Sequence, residues 1–221
     1  MVPQIDHQKC QLCDECVNFC RFHALIHFID KIRLLPNLCH ACGGCQLVCP
    51  HQAITEVDEL IGWVHHKKYQ SHDIYGGELM VGKETGVKII STLLDKPNPK
   101  QDVVIDCPPG NGCSVMESMK SSDVCVLVTE PTMFGLENLK MVYKLTKVFN
   151  KKSGIVINKS YHQDDLIIDY ANTHNIPILG VIPFDKALAK DNSNLLMISD
   201  NEDYKDYFLS IYARLLKVVE S

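Results

Sequence analysis

Eight of the eleven cysteines in this 221-residue chain stand within its first 49 positions, in two runs of identical spacing. The first run is Cys10, Cys13, Cys16 and Cys20; the second is Cys39, Cys42, Cys45 and Cys49, followed by Pro50. Both read C-x2-C-x2-C-x3-C. Three thiolates two residues apart can converge from one short loop onto three irons of a four-iron cube. A fourth, three residues further on, has turned away and reaches the neighbouring cube, so each run completes the other's site. The spacing therefore predicts one cluster on Cys10, Cys13, Cys16 and Cys49 and a second on Cys39, Cys42, Cys45 and Cys20.

Other uses of these cysteines fit less well. A disulfide framework needs an oxidising compartment. The N-terminus, from Met1 to Cys10, lacks the basic-then-apolar pattern of an export signal. Zinc sites pair two C-x2-C knuckles across a longer loop, which four-cysteine runs repeated twice match poorly. Arg21 stands where the first run often carries proline; that proline stiffens the turn but is not a ligand, so the stoichiometry is unaffected. His7, His23, His27, His40 and His51 crowd the same stretch. His40 reads as a hydrogen-bonding neighbour of the site, because the cysteines already saturate both cubes and histidine ligation belongs chiefly to two-iron Rieske centres.

The two runs form an internal repeat of 29 residues, from Cys10 to Cys39. Each half reads as a loop, a short helix and a β segment, the latter at 24–28 and 53–57. This is the run of the two-cluster bacterial ferredoxins, and it predicts a small α+β ferredoxin-like domain over residues 1–60. A module of about 55 residues has too little core to be secure alone, so the clusters should hold it together and loss of iron should unfold it.

Beyond the cysteines the composition is that of an ordinary globular protein, 46% hydrophobic and 22% charged. Twenty-two Lys and Arg against 27 Asp and Glu leave a net charge of −5, which offers no electrostatic footprint for nucleic acid. No apolar stretch approaches the 18 or so residues of a membrane span. With thiolate-bound clusters and no export signal, the expected location is the cytoplasm.

Residues 61–100 change character and read as a connector. Gly76-Gly77 and the alternating stretch 78–81 suggest a β-hairpin; a short helix over 84–94 is stopped by Lys96-Pro-Asn-Pro99. From 101 to 221 short apolar runs at 103–105, 124–128, 155–157 and 178–182 alternate with helical patterns at 136–149, 166–170 and 203–219. That alternation predicts an α/β domain with a parallel sheet wound by right-handed crossovers. Two strand ends could carry chemistry, since open α/β sheets bind ligands beyond the carboxyl ends of their strands. One is Asp106, closing the apolar run 103–105 as a Walker B carboxylate does when it holds a magnesium water shell; many strands also end in aspartate simply to cap a helix. The other is the polar pair Asn158-Lys159.

Asp106-Cys-Pro-Pro-Gly110, Thr129-Glu-Pro-Thr-Met-Phe-Gly135, Asn158-Lys159 and Ile182-Pro-Phe-Asp185, with two ferredoxin runs upstream, resemble the MinD/ParA-type P-loop ATPases that carry an inserted ferredoxin domain. The resemblance covers essentially the whole chain. It implies a MinD-like α/β fold with two 4Fe–4S clusters, and nucleotide-linked iron–sulfur or electron-transfer work with ATP and magnesium. By position it makes Asp106 the Walker B carboxylate, Asn158 the adenine-side contact and Pro183 part of the base pocket. Cys113 also fits the family pattern, although a small half-buried residue is the plainer reading of it.

The resemblance also carries a departure. Members of that family open with a β-strand and a glycine-rich, lysine-bearing phosphate loop ahead of the ferredoxin cysteines, whereas this sequence begins almost at the ferredoxin. One near-match, Gly77-Glu-Leu-Met-Val-Gly82-Lys83-Glu84, satisfies G-x4-G-K but offers Glu84 where magnesium needs a hydroxyl. Its strand-like interior cannot form a nest of N–H donors. The α/β domain is thus expected to be N-terminally incomplete and inactive in hydrolysis on its own. Three outcomes are then open: the sheet closes over the gap, a partner or second copy supplies the loop, or the true start lies upstream. The function expected is electron transfer or cluster carriage with a redox protein or iron–sulfur acceptor as partner; a redox-sensing binding module is the alternative.

Overall fold

The 29-residue repeat of the cysteine runs extends to the backbone. The computed structural model describes residues 1–83, 85–98, 101–194, 196 and 202–220, and the chain divides into two compact units, Met1–Gln101 and Asp102–Ser221. The first unit opens with β1 (Val2–Ile5), α1 (Glu15–Phe19) and β2 (Leu25–Phe28). β3 (Lys31–Leu34), a 3-10 turn (Pro36–Leu38), α2 (Gly44–Val48) and β4 (Ile54–Val57) follow. A shift of 29 residues carries the bounds of β1, α1 and β2 onto β3, α2 and β4. The halves exchange strands: β1 pairs antiparallel with β4, Ile5 opposite Ile54, and β2 with β3, Leu25 opposite Leu34.

The tight path of each half is built from left-handed residues at matching positions. Leu12, Asp14 and His23, at φ of 53°, 60° and 52°, recur as Ala41, Gly43 and Gln52 at 50°, 74° and 49°. Five of these six carry a Cβ and so cost roughly 1–2 kcal/mol each relative to right-handed backbone. Something beyond local preference must hold them, and a core of Cys16, Leu25, Ile32 and Ile54 is small for the purpose.

The rest of the first unit is a long hairpin, β5 (Gly62–Tyr69) against β6 (His72–Leu79), with α3 (Val87–Leu94) packed on its base. The turn falls at Gln70 and Ser71, with Gln70 at φ 52°. Gly76 and Gly77, part of the stretch expected to form a hairpin, lie inside β6. At Gly77 the helix approaches closely: a Cβ there would stand 2.3 Å from Ile89 Cγ2, and one on Gly62 2.6 Å from Ile89 Cδ1, whereas Gly76 faces open space. Glycine here clears space for another element, its other use in strands. Glu84 and Pro99, which enter the expected helix start and stop, lie outside the described residues.

The second unit is a helix–sheet–helix sandwich. It runs α4 (Cys113–Lys120), β7 (Val124–Thr129), α5 (Met133–Val148), β8 (Lys152–Ser160), α6 (Asp165–Thr173), β9 (Ile178–Pro183), α7 (Lys186–Ser193) and α8 (Glu202–Glu220). β7, β8 and β9 form a parallel sheet in that order, Leu127 opposite Ile155 and Ile157 opposite Val181. Leu127, Ile155 and Ile157 pack with Leu136, Leu139 and Tyr143 of α5 and Ile167 and Ala171 of α6. On the other face Val156, Leu179 and Ile182 meet Ile211, Leu215 and Val218 of α8. Helix α5 starts three residues earlier than its apolar periodicity shows, because the Thr132 side chain accepts the Gly135 N–H at 2.9 Å and caps it.

One expected strand is not formed. Residues 103–105 are irregular, and Val104 is 96% exposed. A parallel strand exists only through its ladder to a neighbour, and among the described residues β7 is bonded to β8 alone. Asp106 consequently sits in an exposed loop rather than at a strand end.

Candidate metal centre

The crossed strands decide where the cysteines face. One cavity, of about 10 Å³, is lined by Cys10, Cys13 and Cys16 of the first run and Cys49 of the second, with Ile5, Ile32 and Ile54 behind them. A second, of about 470 Å³, is lined by Cys39, Cys42 and Cys45 of the second run and Cys20 of the first. Each fourth cysteine ends a short helix as its C-cap, Cys20 after α1 and Cys49 after α2, in extended conformation. That change from helical to extended backbone turns the chain out of its own loop. The Ala24 N–H then donates to Cys20 Sγ and the Ala53 N–H to Cys49 Sγ, both at 3.4 Å.

All eight thiols are free of disulfides. Burial pushes the Cys16 thiol up to about 11, and the nearby Cys10, Cys49 and Cys13 add to this. Burial likewise raises Cys45, again with help from Cys39 and Cys42. The buried Cys16 and the half-buried Cys45 resist ionisation unless a cation balances them, so each donor set suits a group that supplies positive charge. No three His, Cys, Asp or Glu groups among the described residues gather as ligands of one ion would. The sulfurs line two cavities in sets of four, and a set of four thiolates is the donor chemistry that iron–sulfide clusters take. His40 lines the second cavity, where its ring stacks on Phe22 at 3.8 Å, a contact that spacing did not indicate.

The second unit gathers its polar groups at the carboxyl end of its sheet. Ser160 of β8 is in register with Pro183 of β9, which brings Asn158 and Pro183 to the same end on adjacent strands. Asn158 Oδ1 accepts the Lys159 N–H at 3.0 Å, and Lys159, at φ 55°, pairs through Nζ with Glu130 Oε1 at 2.6 Å. Asp106 is not ordered into this group by any strand. Sequence reasoning missed the stacked pair Tyr161 and Phe184, 4.7 Å apart and tilted 21°. The available signal was an aromatic residue just beyond each of two adjacent strands. Of the remaining cysteines, Cys113 opens α4 exposed, Cys125 lies on β7, and burial raises the Cys107 thiol.

Fold and site together define an iron–sulfur protein with a ferredoxin-type segment and an α/β body. Residues 32–55 match the 4Fe-4S binding domain family. The chain is similar to two proteins of Methanocaldococcus jannaschii. To the uncharacterized protein MJ0579 it is 28% identical over 175 residues, 78% of this chain and 61% of that protein. To the uncharacterized protein MJ0578 it is 27% identical over 218 residues, 96% of this chain and 74% of that one. The chain thus spans about three fifths of the length of the first relative. Among solved structures it is similar to the cell division ATPase MinD of Pyrococcus furiosus, with a TM-score of 0.50 and 22% identity over 60% of this chain and 59% of that one. This neighbour supports the α/β fold class, in which β7, β8 and β9 are parallel strands between helices. No helix among the described residues is long and apolar enough to cross a membrane.

Proposed function

We propose that the chain carries two 4Fe–4S clusters and moves electrons through them, one held by Cys10, Cys13, Cys16 and Cys49 and the other by Cys39, Cys42, Cys45 and Cys20. The observation that carries this reading is the crossing of Cys20 and Cys49 into each other's cavities. When bound, each cluster would supply a one-electron carrier. The protein's own part is to hold eight sulfurs in two sets, to exclude water from the smaller cavity behind Ile5, Ile32 and Ile54, and to donate N–H groups from Ala24 and Ala53 to the crossing sulfurs. Such N–H···S bonds stabilise the more negative, reduced state. The partner is a redox protein or an iron–sulfur acceptor in the cytoplasm. Anaerobic reconstitution followed by iron and sulfide analysis should give about eight irons per chain; four would leave a single cluster and refute the reading.

A second reading is favoured by the edge of β7, unpaired among the described residues, and by the exposed Val103, Val104, Val126 and Val128 beside it in sequence or on its surface. An open apolar edge of this kind is a template for another strand. In this reading a strand and phosphate loop supplied from outside the described residues complete a nucleotide site with Asp106, Asn158 and Pro183, as ATP and magnesium binding requires. ATP binding measured with and without genomic neighbours of this chain tests it; no binding in either case would remove it.

A further inference from the structure

The two cavities are related by the repeat, so residues 29 apart should surround them alike, and their charges do not. The loop of the first site carries Asp14 and Glu15, both lining its cavity. The matching positions at the second site are Gly43 and Gly44. The crossing Cys49 of the first site is followed by Pro50, whereas the crossing Cys20 of the second is followed by Arg21, which lines the second cavity. Other charged or titratable groups stand nearby, His51 among them at the wall of the first cavity. Lys9 pairs with Asp6 at 3.4 Å, and His27 Nδ1 lies 2.8 Å from Asp14 Oδ1. Glu56 leans over Gly43, its Oε1 3.4 Å from where a Cβ would stand. The first site therefore has Glu15 and a His27-paired Asp14 at its wall, while the second has a guanidinium at its wall and one carboxylate behind a glycine.

We infer that the two sites are electrostatically unequal, and that Arg21 makes the cluster on Cys20, Cys39, Cys42 and Cys45 the one that takes up the first electron. This rests on the two-cluster reading above. Reduction adds one negative charge to a cluster and breaks no bond; the electron comes from a one-electron donor, which is oxidised by one. A fixed cation beside the site favours that added charge, and fixed anions oppose it. The larger cavity points the same way, since its opening admits solvent to the reduced state.

Mutual repulsion would split the two reduction steps even for identical sites, so the splitting alone proves nothing. The variants decide. The full chain is reconstituted, its iron counted, and each step followed by paramagnetic resonance during a mediated redox titration. In R21Q the upper step should fall by about tenfold in its equilibrium constant, about 59 mV for a one-electron couple, with the lower step unmoved. R21K should keep the upper step in place, which a merely structural role of Arg21 would not produce. E15Q should raise the lower step only. Eight irons with R21Q leaving the upper step unmoved, or shifting the lower one instead, would overturn the inference. A shortfall of iron in the unsubstituted chain would instead refute the two-cluster reading beneath it.

Discussion

The ring of Phe19 lies directly against Gly44: a Cβ on that glycine would stand 2.3 Å from the ring Cε1. Gly44 opens α2 and Phe19 closes α1, so this one contact sets how closely the two halves of the cysteine repeat approach. G44A should destabilise the first unit by about 1–3 kcal/mol through overpacking. F19L in the same background should recover part of that loss. The check is the midpoint of bleaching of the visible cluster absorbance in guanidinium; an unshifted midpoint in G44A would show that the halves do not depend on this approach.

Removing a crossing sulfur should damage the site of the other run. C49S is expected to weaken the cluster whose remaining ligands are Cys10, Cys13 and Cys16, even though Cys49 is closer in sequence to Cys45. Iron content together with mass spectrometry of alkylated thiols reads this directly. Newly reactive Cys10, Cys13 and Cys16, with Cys39, Cys42 and Cys45 still protected, is the expected pattern.

Iron chelation under reducing conditions should melt residues 1–57 and spare the parallel sheet. Residues 1–57 hold six non-glycine left-handed residues around a core of four buried side chains, so the metal-bound sulfurs are the missing restraint. Amide hydrogen exchange after chelation should show protection lost over β1 to β4 and retained over β7 to β9.

In the second unit, Ile155 of the central strand is fully buried beneath α5 and α6. I155A should cost about 2–5 kcal/mol, the range for deleting a buried branched side chain. Hydrogen exchange of β8 reports this without interference from cluster chemistry in the first unit. A change confined to the first unit would contradict the division into two.

Acid should loosen the junction of α7 with α8. The Asp185 carboxyl is held below its ordinary value by the hydrogen bond from the Tyr204 hydroxyl and then by the Ala187 N–H. A lowered folded value means the stabilisation is present above the unfolded value near 3.8 and fades as pH falls through the folded one. Exchange protection at the start of α8 should therefore drop below about pH 4 in the unsubstituted chain. D185N, whose amide carries no charge, should show the reduced protection at every pH; a parallel acid response in D185N would refute the assignment.

The arrangement of the cysteines was legible because ligand spacing is local: C-x2-C-x2-C-x3-C prescribes three sulfurs on one loop and a fourth beyond it, whatever surrounds them. The short strands after each run and, apart from α7, the order of strands and helices beyond residue 124 were legible for a similar reason, since period and punctuation are local signals. The role of Gly77 was not legible, because a glycine beneath a packed helix looks like any other until Ile89 is in place. Residues 103–105 misled because an apolar run is only half of a strand; the other half is a neighbour's backbone.

The sequence by itself determined that eight thiols come in two equivalent runs and that a parallel sheet follows. Only the tertiary structure decided that β1 pairs with β4 and β2 with β3, which interlocks the runs, closes one cavity tightly and leaves the other wide. The physical reason is distance. Sulfur spacing acts over three residues, whereas the shape of a cavity and the charge at its wall depend on side chains such as Phe19, Arg21 and Ile32 brought together from both halves of the repeat.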